Sequence, residues 1–224
     1  MTITLAELKL RAKQKADREG SEFIGDAEMN FLVNSSIAEL HDLIISTGLE
    51  YFLNSTTIST VVGTDTYALP SDFYKLKGVD LQLSTDEYVS LRAFNFNERN
   101  YSQDQSWTVA RGTNIRYRLY GNSLKFSPKV TSIANILVWY IPLATKLTAD
   151  GDTLNDLNQF AEYIITDVAI KYLQKEESDV SILMQQKAEL KRRIEIMTQD
   201  RDFGAGETVT DVYADNNPFY FITT

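Results

Sequence analysis

The hydrophobic residues of this chain change their spacing twice, and that constrains the fold more than any other feature. To about Asn54, apolar side chains recur every three or four residues. From about Thr56 to Thr148 they alternate within β-branched runs, and from about Thr153 the helical spacing returns. Leu5, Leu8, Ala12 and Ala16 make the first stripe, opened by Thr4 and Glu7 at capping-box spacing and stopped at Gly20. Asp26 is placed to cap a second helix with Phe31, Ile37, Leu40 and Ile44 on its apolar face and Gly48 just past its end. Thr153 with Asp156 can start a third helix, whose stripe is Leu157, Phe160, Ala161, Ile164, Val168 and Tyr172. After a polar corner at 176–179, a longer helix bears Val180, Leu183, Lys187, Leu190, Ile194 and Met197 before Gly204 and Gly206 end it.

Four amphipathic helices, two at each end of the chain, cannot each bury a stripe alone. The simplest solution is an α+β fold: an antiparallel helical bundle built from both helix pairs, with a mostly antiparallel β domain inserted. The expected divisions are 1–54 for the first helix pair, 55–148 for the β domain, 149–206 for the second pair and 207–224 for an extended C-terminal arm. Such a bundle would hold the two ends of the insertion side by side. Within the insertion, Ile115–Phe126 reads as a hairpin turning at Gly121-Asn122, with Ile115, Tyr117 and Leu119 on one face. Ile136, Val138 and Tyr140 alternate until Pro142 ends that strand. Leu69–Phe73, with Pro70 inside, separates one strand from another over Lys75–Leu83, and 91–100 reads as a short helical or irregular segment.

Composition narrows the function classes. With 31 Asp and Glu against 22 Lys and Arg, the net charge of −9 argues against phosphate-backbone binding as the business of the whole surface. The absence of cysteine excludes disulfides, zinc ribbons and a thiolate nucleophile. One histidine, His41, excludes a multi-His metal centre; it is expected at the helix surface or bundle edge, with no nucleophile or orienting partner nominated. Asp150–Asp156 resembles a calcium loop only until Gly151 is aligned, when Lys146 and Leu157 fall where the end ligands belong. A turn plus helix cap is the better reading. Trp139, in a strand-like run, is expected in the core. No phosphate-cradling loop or nucleophile elbow occurs, so no catalytic residue, cofactor or metal site is expected. Met1–Arg11 lacks the apolar core of a signal peptide, and no apolar run approaches the roughly 20 residues of a bilayer span.

Two segments point to binding rather than chemistry. Lys187, Lys191, Arg192 and Arg193 form a basic cluster interleaved with Glu189 and Glu195, which suits a solvated face or a subunit contact. Lys187 lies on the apolar stripe, where it can snorkel or mark the rim of an interface. The segment 207–224 has three acids, no Lys or Arg, and a final Pro218-Phe-Tyr-Phe-Ile222-Thr-Thr. So aromatic an end docks somewhere, on its own domain or in a partner through strand addition or pocket anchors.

The order of these features resembles the head-to-tail adaptor (connector, or head-completion) proteins of tailed bacteriophages. The resemblance rests on the opening helix pair Leu5–Gly48, on Thr66-Tyr-Ala-Leu-Pro-Ser-Asp-Phe-Tyr-Lys-Leu-Lys-Gly78-Val, and on the hairpin Tyr120-Gly-Asn-Ser-Leu-Lys-Phe-Ser-Pro128. Val138-Trp-Tyr-Ile-Pro-Leu143 and the helix Phe160–Leu173 complete it. It implies a structural protein of the virion neck, made in the host cytoplasm and assembled as a ring, typically of twelve subunits, beneath the portal protein. DNA would pass through the ring without sequence-specific binding, and a tail or further neck protein would attach below. It also implies portal docking by the C-terminal extension, here through Tyr213, Phe219, Tyr220, Phe221 and Ile222. From a different class, the β domain could serve a monomeric ligand- or glycan-binding module of the virion.

Overall fold

The computed structural model describes residues 2–21, 23–48, 50–99, 105–155 and 157–199. Among the described residues four α-helices, α1 (Leu5–Lys15), α2 (Asp26–Thr47), α3 (Ala161–Lys175) and α4 (Ser181–Gln199), flank a β region in sequence and share an apolar core. Leu5 and Leu8 from α1, Met29, Val33, Ile37, Leu40 and Ile44 from α2, Ile164, Val168 and Tyr172 from α3, and Ile194 from α4 are all buried in it. Each such side chain removed from water contributes about 1.5–3 kcal/mol.

The helix signals are realised with corrections. Thr4 Oγ1 accepts the Glu7 N–H at 3.2 Å, half of the capping box; the Glu7 carboxylate turns instead to Arg11. The first helix ends at Lys15 rather than at Gly20, and Asp17 takes the left-handed turn with φ 55°, a conformation that Asp tolerates better than most residues. Asp26 is the first residue of α2, not its cap. Its carboxylate suits the positive end of the helix dipole and also receives Lys9 Nζ at 2.7 Å. Phe31 is 70% exposed. The buried stripe runs through Met29 and Val33, and a residue two positions along a helix falls on the opposite side.

Thr153 and Leu154 do not begin a helix. They form β10 (Thr153–Leu154), paired antiparallel with β1 (Ile3–Thr4), and α3 starts only at Ala161. Asn158 Oδ1 reinforces this junction by accepting the Ile3 N–H at 2.8 Å. The neighbouring Asp152 acts as a turn former. Asp152 accepts the N–H groups of Thr148 at 2.7 Å and Ala149 at 2.9 Å, and these bonds pull its pKa below the usual carboxylate range. Met197, expected on the inner face of α4, is 46% exposed, and Thr198 occupies the buried position instead.

The described residues of the β region fold as two four-stranded sheets. The first contains β2 (Asn54–Ser59), β4 (Phe73–Ser84), β5 (Glu87–Ser90) and β9 (Asn135–Pro142) in the order β2-β9-β4-β5, all antiparallel. The second contains β3 (Thr66–Ala68), β6 (Arg92–Ala93), β7 (Arg116–Tyr120) and β8 (Ser123–Ser127) in the order β3-β8-β7-β6, antiparallel except for the parallel β6–β7 pair. Val79, Leu81, Ile136 and Val138 from one sheet and Leu124 and Phe126 from the other bury into a second core, separate from the helical one. The expected hairpin joins β7 to β8, with Tyr120 opposite Ser123 and Gly121 at φ 55° in the turn. Asn54 pairs with Tyr140, so the chain enters and leaves the β region on neighbouring strands. Trp139 departs from expectation. It lies on the other face of β9 from Val138, half-buried, with Nε1 donating to Asp80 at 2.7 Å. The core tryptophan is Trp107, which donates to the Pro128 carbonyl at 2.8 Å and meets Phe126 edge-on.

Candidate assembly surfaces

The basic cluster of α4 is divided by the fold. Lys187 points inward and binds Asp167 of α3 and Glu39 of α2. Asp167, 1% exposed, also receives Lys171 Nζ at 2.7 Å and the Ser36 hydroxyl at 2.5 Å, while Glu39 takes Lys171 at 2.7 Å. Two lysines and two carboxylates thus close a neutral network among α2, α3 and α4. Burial disfavours the charge on Lys187, but the Asp167 hydrogen bond and carboxylate outweigh it and raise its pKa. Burial likewise opposes ionisation of Asp167, and bonds from Lys171, Lys187 and Ser36 overcome it, lowering its pKa.

Lys191, Arg192 and Arg193 face solvent on the same helix. Lys191 reaches Glu195 at 3.9 Å and Arg192 meets Glu189 at 2.7 Å, exposed pairs along α4 itself that are worth little. The outer side of α4 also presents Ile182 and Ile196, at 68% and 49% exposure. One helix therefore grips its own bundle with one side and offers apolar and basic groups on the other.

At its C-terminal end α4 is clamped against the end of α2. Thr47 and Thr198 share a hydroxyl hydrogen bond at 2.6 Å. Gly48 caps α2 with φ −130°, so it is not needed for a left-handed turn; a Cβ there would sit 2.7 Å from the Thr198 carbonyl oxygen. Glycine is required by this close approach. The clamp fixes the C-terminal turn of α4 against α2. Tyr213, Phe219, Tyr220, Phe221 and Ile222, with the whole of 207–224, lie outside the described residues.

The same end of α2 meets the β region. His41 is buried, not at the surface, because Phe52 stacks on its ring with centroids 4.5 Å apart and Tyr74 of β4 closes from another side. Burial lowers its pKa, against the opposing charge of Asp42 and a hydrogen bond to the Pro142 backbone. Tyr74 donates to Asp42 at 2.9 Å, and Lys77 pairs with Glu50 at 3.2 Å. A crevice lined by His41, Phe52, Pro142, Leu143 and Leu147 opens beside this junction. Among the described residues, no group of three or more His, Asp or Glu is arranged to hold a metal.

A family model described as SU10 adaptor protein matches residues 3–210. The chain belongs to the SU10 adaptor protein family. This agrees with the resemblance to phage head-to-tail adaptors and makes the chain a structural adaptor protein of a bacteriophage. No curated protein matches it. No helix among the described residues is long and apolar enough to cross a membrane.

Sequence reasoning missed Asp167, which anchors α4, and Lys9, which is 7% exposed and bridges Asp26 and Asp150. For Lys9 the charged residue between Leu8 and Leu10 was a usable signal. Asp167, in an apolar helix between Thr166 and Val168, offered another: a lone acid there needs cations from elsewhere.

Proposed function

We propose that the chain forms the ring, of about twelve copies, that sits beneath the portal in the virion neck, extends the DNA channel and receives the tail. The family match over 3–210 carries this reading. In it, residues 1–54 and 149–206 build the ring wall as an antiparallel bundle, residues 55–148 form the inserted domain, and residues 207–224 are the arm that docks on portal. Tyr213, Phe219, Tyr220, Phe221 and Ile222 are the arm's anchors, large side chains able to fill pockets on a partner.

Two features support this assignment of roles. A ring requires two different complementary patches on each subunit, and the outer side of α4, where Ile182, Arg192, Arg193 and Ile196 share one arc, supplies one candidate. Lys187 contributes indirectly, by holding α4 in place through Asp167. The clamp at Gly48 and Thr198 holds the end of that helix against α2.

The test is assembly of purified chain on purified portal, followed by sedimentation and electron microscopy. Full-length chain is expected to give a ring on portal, and chain lacking 207–224 is expected to remain unbound. If full-length chain and portal sediment separately at micromolar concentrations, the reading fails.

A further inference from the structure

The charge of this acidic protein is unevenly distributed. Residues 91–130 contain seven Lys and Arg against two Asp and Glu, a net of +5, which leaves −14 for the remainder of a chain whose total is −9. The β3-β8-β7-β6 sheet gathers most of these cations. Tyr117 opposite Phe126, and Leu124 beside Tyr67, mark its inner face. Alternation therefore puts Arg116, Arg118 and Lys125 on the outer face, where Arg92 joins them beside Arg116. Arg118 and Lys125 are direct cross-strand partners, and so are Arg92 and Arg116. Like charges placed opposite each other destabilise a sheet. Arg99 and Lys129 extend the field, sharing a cleft with Lys125.

Few acids answer these six cations. Arg116 reaches Glu98 at 3.4 Å and Lys125 reaches Asp65 at 3.5 Å, both long and solvent-exposed. Arg92, Arg99, Arg118 and Lys129 have no carboxylate partner among the described residues. Arg99 and Arg118 are oriented instead by carbonyls, donating to Phe96 at 3.1 Å and Phe94 at 2.9 Å. Their guanidinium carbons lie 4.5 and 5.9 Å from the centre of the Phe96 ring, which is 50% exposed and inclined toward Tyr120.

We infer that the outer face of the β3-β8-β7-β6 sheet binds the phosphate backbone of double-stranded DNA without sequence preference. Arg-rich, weakly neutralised surfaces gain affinity by releasing the counterions condensed on DNA. A protein partner fits less well, because the centre of a protein interface is depleted in charge, whereas here charge occupies the centre and the aromatics lie at one end. A sheet face presents no helix or ribbon to enter a groove, so it contacts phosphates rather than base edges. The acidity of the rest of the chain confines DNA to this one face. The adaptor role does not require this contact, which is a second function of the β region.

Fluorescence anisotropy of a short mixed-sequence duplex, titrated with the full chain between about 50 and 200 mM salt, tests the inference. Binding is expected at the lower salt, with a log–log salt slope of about −4 for four to five phosphates neutralised. The double variant Arg116→Gln/Arg118→Gln, shown folded by circular dichroism and tryptophan fluorescence, is expected to bind at least about tenfold more weakly and to lose about two from the slope. Arg11→Gln/Lys146→Gln, two exposed cations away from this sheet, is expected to change neither. Absence of binding at about 50 mM salt, or equal losses in the two double variants, overturns the DNA face. So does tighter binding of polyglutamate than of DNA through the same arginines, which would assign the surface to an acidic protein. Portal assembly of the Arg116→Gln/Arg118→Gln chain, scored separately, distinguishes failure here from failure of the adaptor reading.

Discussion

The helical core and the β core handle charge in opposite ways. Lys9, Asp167 and His41 are buried in or beside the helices, and each is held by partners from other elements. Among the described residues of the β region the buried polar ones are Thr60 and Ser127, both neutral, and Thr60 is satisfied by the Ala134 backbone. Its charges lie outside. A buried ion pair adds little net stability, since desolvation offsets attraction, but breaking one is costly and punishes any other packing of the helices. The bundle's network thereby selects one arrangement of α2, α3 and α4. The β region obtains the same definition from its backbone ladders, which set register without any buried charge among the described residues.

Both tryptophans, Trp107 and Trp139, belong to the β region, so their fluorescence reports that region while far-ultraviolet circular dichroism reports chiefly the helices. The largest effect is expected from Phe126→Ala, which empties a fully buried position between the sheets and costs about 4 kcal/mol. The urea midpoint seen by fluorescence should fall further than that seen by circular dichroism. Equal shifts would mean that the two cores unfold as one unit.

Asp167→Ala reverses the pattern. It leaves Lys171 and Lys187 with Glu39 alone among the carboxylates of the network and is expected to cost about 3 kcal/mol, mainly in the dichroism midpoint. A loss below about 1 kcal/mol would show that the lysines relax into water at little penalty. Gly48→Ala drives a methyl group against the Thr198 carbonyl, and the overpacking should cost about 1–3 kcal/mol. Faster amide exchange over 194–198, with the β amides unchanged, is the signature of a loosened α4 end.

The smallest effect is pH-dependent and lies at the junction. His41 has a folded pKa below its ordinary value of 6.5, so the unfolded chain takes up the proton first as pH falls. Its contribution is fully present above about pH 6.5 and is lost as pH drops from there toward the depressed folded value. Asp42, Lys75 and Tyr74 face it from α2 and β4, and Asp42's charge only partly offsets burial. The thermal midpoint should therefore fall less between pH 7.5 and 5.5 in His41→Gln than in the natural chain; a parallel fall in both would remove His41 as the cause.

Much of the architecture was legible locally. The β7–β8 hairpin was readable from Gly121-Asn122, and Ile136, Val138 and Tyr140 were readable as one buried face, since strand alternation depends only on neighbours in sequence. Phe31 was misread because it stands two residues from Met29 and two from Val33, and aromatic character suggested burial where helix phase dictates exposure. Arg116 and Arg118 were visible as alternate residues of a strand, but their meeting with Arg92 and Lys125 depends on strand pairing, which sequence spacing does not specify.

By itself, the sequence determined the passage from helix to strand and back, the apolar stripes, the hairpin turn and the excess of acid. These follow from side-chain spacing against periods of 3.6 and 2 residues, and they require no knowledge of distant partners. Tertiary structure alone decided that Lys187 faces Asp167, that Gly48 yields to Thr198, that His41 is covered by Phe52, and that cations from three strands meet on one sheet face. Each of these depends on which elements come into contact and in what register, and that is settled by packing two cores at once rather than by any local preference.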